Sequence, residues 1–216
     1  MCAQYDPPND DIFWVEFQFP TRPAGWIMKR VMPYSPAPVL VADPSGIRGE
    51  MMSFSLVPTW SKEPKVKFAT HNARIETITE KPAFKDAFKK RHCIVPMSGF
   101  IEPIYLHELA GNMVNFKSKE TMFAVGIWEE WVNPKDGEIF NSFTILTSEP
   151  LPFVQKIGHD RSPIFLERSQ IETWLRSENE MPNDLQKYLL DNRFQPDFYT
   201  TIDRPMAQGW QKRIPT

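Results

Sequence analysis

Strand-period segments that follow one another directly, only a few short helical stretches, and a chain broken by 21 prolines against 9 glycines predict an α+β fold. The expected form is an irregular, mostly antiparallel, β-barrel-like sheet with helices at its periphery. Proline interrupts helix interiors and central strands, so short elements joined by stiff loops are expected. The 216 residues suit a single domain over residues 1–216 with a sizeable core. An apolar share of 41%, with 16 Phe and 7 Trp, excludes general disorder and low-complexity classes.

In chain order, Phe13, Val15, Phe17 and Phe19 alternate across residues 12–19, which is strand spacing. Residues 38–42 form a short apolar strand closed by the turn Asp43-Pro44-Ser45-Gly46. Residues 51–57, 93–97, 99–106, 113–117, 122–132 and 139–147 continue the strand pattern, with Asn133-Pro134-Lys135-Asp136-Gly137 as a hairpin turn before the last. Residues 80–91 predict a helix with Pro82 in its first turn, an apolar row of Phe84 and Phe88, and a basic row of Lys81, Lys85 and Lys89. Residues 168–176, centred on Ile171 and Leu175, and residues 182–190 predict two more.

Global composition narrows the function classes. A net charge of −2 excludes a nucleic-acid binder that relies on overall charge, so such binding needs a local basic patch. No apolar run approaches the ~20 residues of a membrane-spanning helix, and the first six residues lack a signal-peptide pattern. A protein of the cytoplasm, acting as a monomer and away from membranes, is the expectation. Cys2 and Cys93 are too few for a disulfide scaffold or, by themselves, a zinc site. No cofactor and no metal is expected.

Several residue types point to chemistry. Once Met1 is removed, Cys2 carries a free α-amine and a thiol on adjacent carbons. An α-amine titrates at about 7.7–8.0, so part of it is unprotonated at neutral pH. The amine can form an imine with an aldehyde, and the sulfur can close it to a five-membered thiazolidine. The plain alternative is an incidental Cys at position two. Asn72, Arg74 and Glu76 alternate, which on a strand places three polar groups on one face, active or merely solvated. Glu102 follows an apolar strand and fits a general acid/base if burial raises its pKa; the alternative is a surface carboxylate. His159 stands between a helical stretch and a short strand, a loop-edge place suited to a catalytic or a structural imidazole. Cys93, in an apolar run, reads as a buried inert thiol. The lysines of residues 81–90, and Lys62, Lys65 and Lys67 beside Trp60 and Phe68, combine charge with aromatic rings, as single-stranded nucleic acid requires; a solvated helix face is the alternative.

Together these residues resemble the SRAP family (SOS-response-associated peptidase), whose members crosslink to abasic sites in single-stranded DNA. The matching blocks run in family order over roughly residues 2–166: Met1-Cys2, Phe54 to Trp60, Asn72-Ala73-Arg74-Ile75-Glu76-Thr77, Lys81-Pro82-Ala83-Phe84, His92 to Pro103, and His159-Asp160-Arg161-Ser162-Pro163. The resemblance implies an irregular β-barrel with surrounding helices. It implies Cys2 as nucleophile, freed by removal of Met1 either autocatalytically or by an aminopeptidase, and a peptidase activity limited to that bond. Asn72 is implied to orient the Cys2 amine or the opened sugar, Glu102 to move protons during imine formation, and His159 to act as acid/base in opening the deoxyribose. Trp60 is implied to stack near the lesion, Arg74 and Lys85 to hold phosphates, and Lys81, Lys89 and Arg161 to complete the DNA-contacting set. The implied partner is single-stranded DNA with abasic sites.

The sequence also departs from the family pattern. Gln4 stands where the family has an Arg that helps bind phosphate, Ala3 replaces Gly, Phe54 and Pro103 replace Trp, and Ser162 replaces Met. These mark a divergent member of the kind a phage carries. While Met1 is attached, the Cys2 nitrogen is an amide and forms no imine. Two rivals stay open: a non-covalent DNA-binding module that has lost the chemistry, and a general cysteine hydrolase using Cys93 or Cys2 with His159.

Overall fold

The computed structural model describes residues 3–8 and 29–213. The expected strand over 12–19 and the candidate nucleophile Cys2 lie outside the described residues. The strands are β1 (Tyr5–Asp6), β2 (Pro36–Asp43), β3 (Gly46–Phe54), β4 (Asn72–Arg74), β5 (His92–Ile104), β6 (Asn112–Val132), β7 (Ile139–Ser148), β8 (Ser162–Pro163), β9 (Phe165–Leu166) and β10 (Phe198–Pro205). The helices are α1 (Lys85–Lys90), α2 (Pro152–Ile157), α3 (Ile171–Leu175) and α4 (Pro182–Asp191). The fold class is α+β, as the sequence predicts. No helix among the described residues is long and apolar enough to cross a membrane.

The strands run in the order β1–β5–β2–β3–β7–β6–β10, and a further β5–β6 pairing closes β5, β2, β3, β7 and β6 into a ring. Closure removes exposed sheet edges within the ring. The ring is not a regular barrel. β2 meets β5 only at Leu40↔Ile94, and β3 meets β7 only at Ser53↔Ser142 and Phe54↔Phe143, in parallel.

Two-residue side-chain alternation divides the apolar residues into two cores. Val39, Val41, Phe54, Cys93, Val95, Met97, Ala124, Phe143 and Ile145 belong to one, drawn from all five ring strands and so the filling of the ring. Leu40, Ile94, Val125, Ile127 and Leu146 point the other way, onto Phe84, Phe88, Trp174, Leu185 and Leu189 of the helical layer. Phe84 and Phe88 form the expected apolar row, and Lys81, Lys85 and Lys89 are exposed. The helix itself is shorter than residues 80–91: Phe84 and Lys85 first donate to the Lys81 carbonyl in a turn, and Pro82 sits within that turn.

Two expected strand pairs are each one strand. β5 runs through Pro96 and Gly99, and β6 through the polar stretch 118–121. Met97 faces Met122 and Gly99 faces Lys117, so the polar stretch is taken up as a register irregularity rather than a turn. The hairpin turn at Asn133–Gly137 joins β6 to β7 as expected, with Asn133 donating to the Glu138 carbonyl at 2.8 Å. The alternation of Asn72, Arg74 and Glu76 is broken: the strand ends at Arg74, and Ile75–Thr77 turns into a 3-10 segment that buries Ile75.

α2 ends at Gly158, whose φ of +105° belongs to the left-handed region. A Cβ there would stand 2.8 Å from His107 Cδ2 and 2.9 Å from the Leu106 carbonyl oxygen. This glycine turns the chain into the His159 loop under the segment after β5. Gly158→Ala is expected to destabilise the protein by roughly 1–3 kcal/mol, from strain plus the backbone contact, read as a lowered urea-unfolding midpoint.

Candidate active site

Glu102, near the end of β5, and His159, in the loop between α2 and β8, meet inside the protein. Their Oε2 and Nε2 atoms are 3.4 Å apart, and their side chains are 1% and 5% exposed. The His159 Nδ1 lies 2.8 Å from the Arg161 carbonyl oxygen, to which it donates when it carries a proton, and 3.2 Å from the Arg161 N–H, which donates to it when it is bare. A neutral ring with its proton on Nδ1 turns a bare Nε2 toward the carboxylate. The protonated ring turns an N–H to each side, toward this carbonyl and toward Glu102. Burial alone would raise the Glu102 carboxyl, but the neighbouring imidazolium, the largest of several opposing influences, helps to hold it below its ordinary value. Burial alone would lower His159, and the carboxylate holds it above.

β1 leads the chain's first described residues to this pair. Tyr5 faces Phe100 and Asp6 faces Gly99, antiparallel, and Ile101 donates to the Gln4 carbonyl at 2.9 Å. Toward its start the chain therefore climbs β5 to the level of Glu102. The Gln4 side chain accepts a bond of 3.1 Å from Arg204 on β10.

Asn72 is buried on β4, its Nδ2 donating to the His71 carbonyl at 2.8 Å. Its Oδ1 has no partner among the described residues. A buried acceptor left unmatched costs about 1–3 kcal/mol unless a ligand meets it. His71, half-buried beside Asn72, is held below its ordinary value by burial, against the opposing pull of Glu102. The sequence signal for this imidazole is its place directly before Asn72.

A cavity of about 360 Å³ opens beside Asn72, lined also by Trp60, Phe68, Arg74, Lys81 and Phe84. The Trp60 and Phe68 rings stack with centroids 6.3 Å apart and planes 23° apart, and they are 55% and 47% exposed. Lys85 and Lys89 follow Lys81 along the exposed side of α1 without lining the cavity. Thus Trp60, Asn72, Arg74 and Lys81 come together in one place. Arg161 is engaged elsewhere: its guanidinium holds the Glu76 carboxylate at 2.8 and 2.9 Å and the Thr147 carbonyl at 2.9 Å.

The remaining cysteine and histidines have other duties. Cys93 is fully buried and burial pushes its thiol far up, so it is a packing group and supplies no nucleophile. His92 is buried, stacked on Trp174 at 3.9 Å, with its ring nitrogens 2.8 and 3.0 Å from the Phe88 and Trp174 carbonyls. Among the described residues there is no group of three or more side chains placed to hold a metal ion.

The buried pair gives stability a pH window. Glu102, held low, contributes stability that is complete above the ordinary carboxyl value of 4.5 and is lost as pH falls through its lowered pKa. His159, held high, contributes stability that is complete below the ordinary imidazole value of 6.5 and is lost as pH rises through its raised pKa. The pair therefore stabilises most between 4.5 and 6.5. In Glu102→Gln both flanks should flatten, as measured by urea unfolding across pH.

The chain is similar to known proteins in sequence and in fold. The sequence profile of the SOS response associated peptidase (SRAP) family matches residues 24–201. The abasic site processing protein YoaM of Bacillus subtilis is 35% identical over 153 residues, 70% of this chain and 66% of its own length. The abasic site processing protein YoqW of Bacillus phage SPbeta is 32% identical over 69% of this chain and 67% of its length. The abasic site processing protein HMCES of Xenopus tropicalis is 28% identical over 66% of this chain and 52% of its length. The chain thus spans about two thirds of the bacterial and phage relatives and about half of the vertebrate one. A crystal structure of a Bordetella bronchiseptica protein superposes with a TM-score of 0.79 at 20% identity, over 94% of this chain and all of that one. Another, from Bacteroides thetaiotaomicron, gives 0.76 at 20%, over 98% and 94%. At such identity these two speak to the fold alone.

Proposed function

The chain belongs to the SOS response associated peptidase (SRAP) family, and we propose that it processes abasic sites in single-stranded DNA by forming a covalent thiazolidine through Cys2 once Met1 is removed. The observation that supports the reading is the buried Glu102–His159 pair on β5 and its facing loop, with β1 paired alongside β5; a separate aromatic, basic cavity lies beside Asn72. The relatives' names supply the class of substrate.

In this mechanism Trp60 and Phe68 stack on bases beside the lesion, and Arg74, Lys81, Lys85 and Lys89 face the phosphates. His159, as imidazolium, gives its Nε2 proton to the sugar ring oxygen, the C1′–O4′ bond breaks, and the C1′ hydroxyl loses its proton to solvent, opening the deoxyribose to its aldehyde. The Cys2 amine then adds to C1′, and Glu102 takes the proton that the nitrogen gives up. Loss of one water forms the imine. The thiol adds across the C=N bond, forming the S–C1′ bond and leaving its proton on nitrogen. The sum is one water released and no change of oxidation state. The Asn72 Oδ1 accepts a hydrogen bond from the amine or the sugar hydroxyl and holds it in line. Peptidase activity is confined to the Met1–Cys2 bond.

Denaturing gels of the Met1-free protein with abasic single-stranded DNA test this. The expected outcome is a stable adduct with the normal protein and none with Cys2→Ala. Trp60→Ala should weaken binding by roughly ten- to a hundredfold, from a stacking loss of ~1–3 kcal/mol. Absence of any adduct with verified Met1 removal overturns the covalent reading. Fluorescence anisotropy in the same samples identifies the non-covalent module, for which Gln4 in place of an Arg speaks: it binds the strand and leaves no adduct.

A further inference from the structure

We propose that Arg204, on the edge strand β10, is a DNA-contacting residue that holds a phosphate of the abasic nucleotide itself. This rests on the reading of Cys2 as the nucleophile. The start of the chain and the end of β10 meet near the buried pair. Gln4 is two residues from Cys2, so their Cα atoms lie within about 7 Å of each other on any path. The Gln4 carbonyl accepts from Ile101, the residue before Glu102, at 2.9 Å. Its side-chain Oε1 accepts from Arg204 Nη2 at 3.1 Å. Met113 of β6 faces Pro103 on one side and Arg204 on the other, so Arg204 stands one row of the sheet beyond Glu102.

An ordered run of charges presents this guanidinium. Asn115 donates to Asp6 at 2.7 Å, and Arg30 binds Asp6 at 2.9 Å and Asp203 at 2.7 Å. The second oxygen of Asp203 takes Arg204 Nη1. Arg30 is filled between its two carboxylates. Arg204 ends the run and is open to solvent, with 45% of its side chain exposed against 14% for Asp203. Among the described residues it spends one N–H on Asp203 and one on Gln4, which leaves donors of its planar fork for a ligand. The chemistry of the adduct says which ligand. Bonding C1′ to Cys2 brings along the two phosphates of that nucleotide, each only a few bonds away. An exposed guanidinium touching the side chain of Gln4 is within reach of one of them, and phosphate is the partner its fork matches. Gln4 itself brings no charge to this place, and Arg74 and Lys81 of the cavity stand on other elements.

The test uses full-length, Met1-free protein with Arg204→Gln, Arg204→Lys and the exchange Gln4→Arg/Arg204→Gln. Arg204 is an exposed residue of an edge strand, so its loss costs the fold little. Affinity for single-stranded DNA carrying a non-reactive tetrahydrofuran abasic analogue is measured by anisotropy across salt concentrations. Arg204→Gln should bind about tenfold more weakly. Its slope of log affinity on log salt should be shallower by about 0.7, one phosphate contact on a single strand. Arg204→Lys keeps the charge and should keep the slope. In the exchanged protein the guanidinium starts from position 4, and the slope should return. Strands with one uncharged methylphosphonate, at either linkage of the analogue, locate the contact. At one of the two linkages the normal protein should lose about tenfold and Arg204→Gln nothing further. If Arg204→Gln leaves affinity and slope unchanged, Arg204 serves only the run of ion pairs, and the proposal fails. It also fails if each methylphosphonate weakens both proteins equally. If the normal protein binds the strand but makes no adduct with natural abasic DNA, the covalent reading falls, and the salt slopes and methylphosphonates still decide the role of Arg204.

Discussion

A carboxylate and an imidazole enclosed 3.4 Å apart stabilise each other as opposite charges. Each keeps the other ionised against a burial that would neutralise it alone. Removing either partner takes away a large part of that compensation. The rest of the architecture can be understood as the means of bringing Glu102 and His159 together and keeping water scarce around them.

The ring of strands does the first part. β5 is long and central, flanked by β1, β2 and β6, so Glu102 sits on backbone that cannot shift without disturbing several neighbours. The second part falls to a loop, which is a weaker support. There the protein adds a left-handed glycine, a ring-to-backbone bond, and the Arg161–Glu76 fork anchored on β7. The aromatic and basic surface lies on separate elements, the segment before β4 and the turn leading into α1, with the buried Asn72 of β4 lining the same cavity. The cavity and the buried pair are thus built on different supports.

Much of this was legible in the sequence, for identifiable reasons. Strand alternation at residues 38–42 and 139–147 and the i,i+4 phenylalanines of α1 are local patterns, and local patterns survive folding. The ordered blocks around Glu102 and His159 hold two residues that the fold brings within 3.4 Å of each other. What stayed hidden was non-local or disguised. Pro96, Gly99 and the polar residues 118–121 imitate breaks in what are continuous strands, because pairing to both sides overrides local propensity. β10 is an edge strand with mostly exposed side chains and carries no apolar alternation to detect. Glu76 looked like a neighbour of Asn72 on one face. Its partner is Arg161, 85 residues away, which no spacing rule predicts.

The account turns on whether His159 owes its charge to Glu102. The most direct measurement is an NMR titration of the His159 ring in the normal protein and in Glu102→Gln. The account predicts a midpoint above 6.5 in the first, since the carboxylate's pull prevails over burial, and a clearly lower midpoint in the second, where that pull is gone. A midpoint that is the same in both proteins would contradict it.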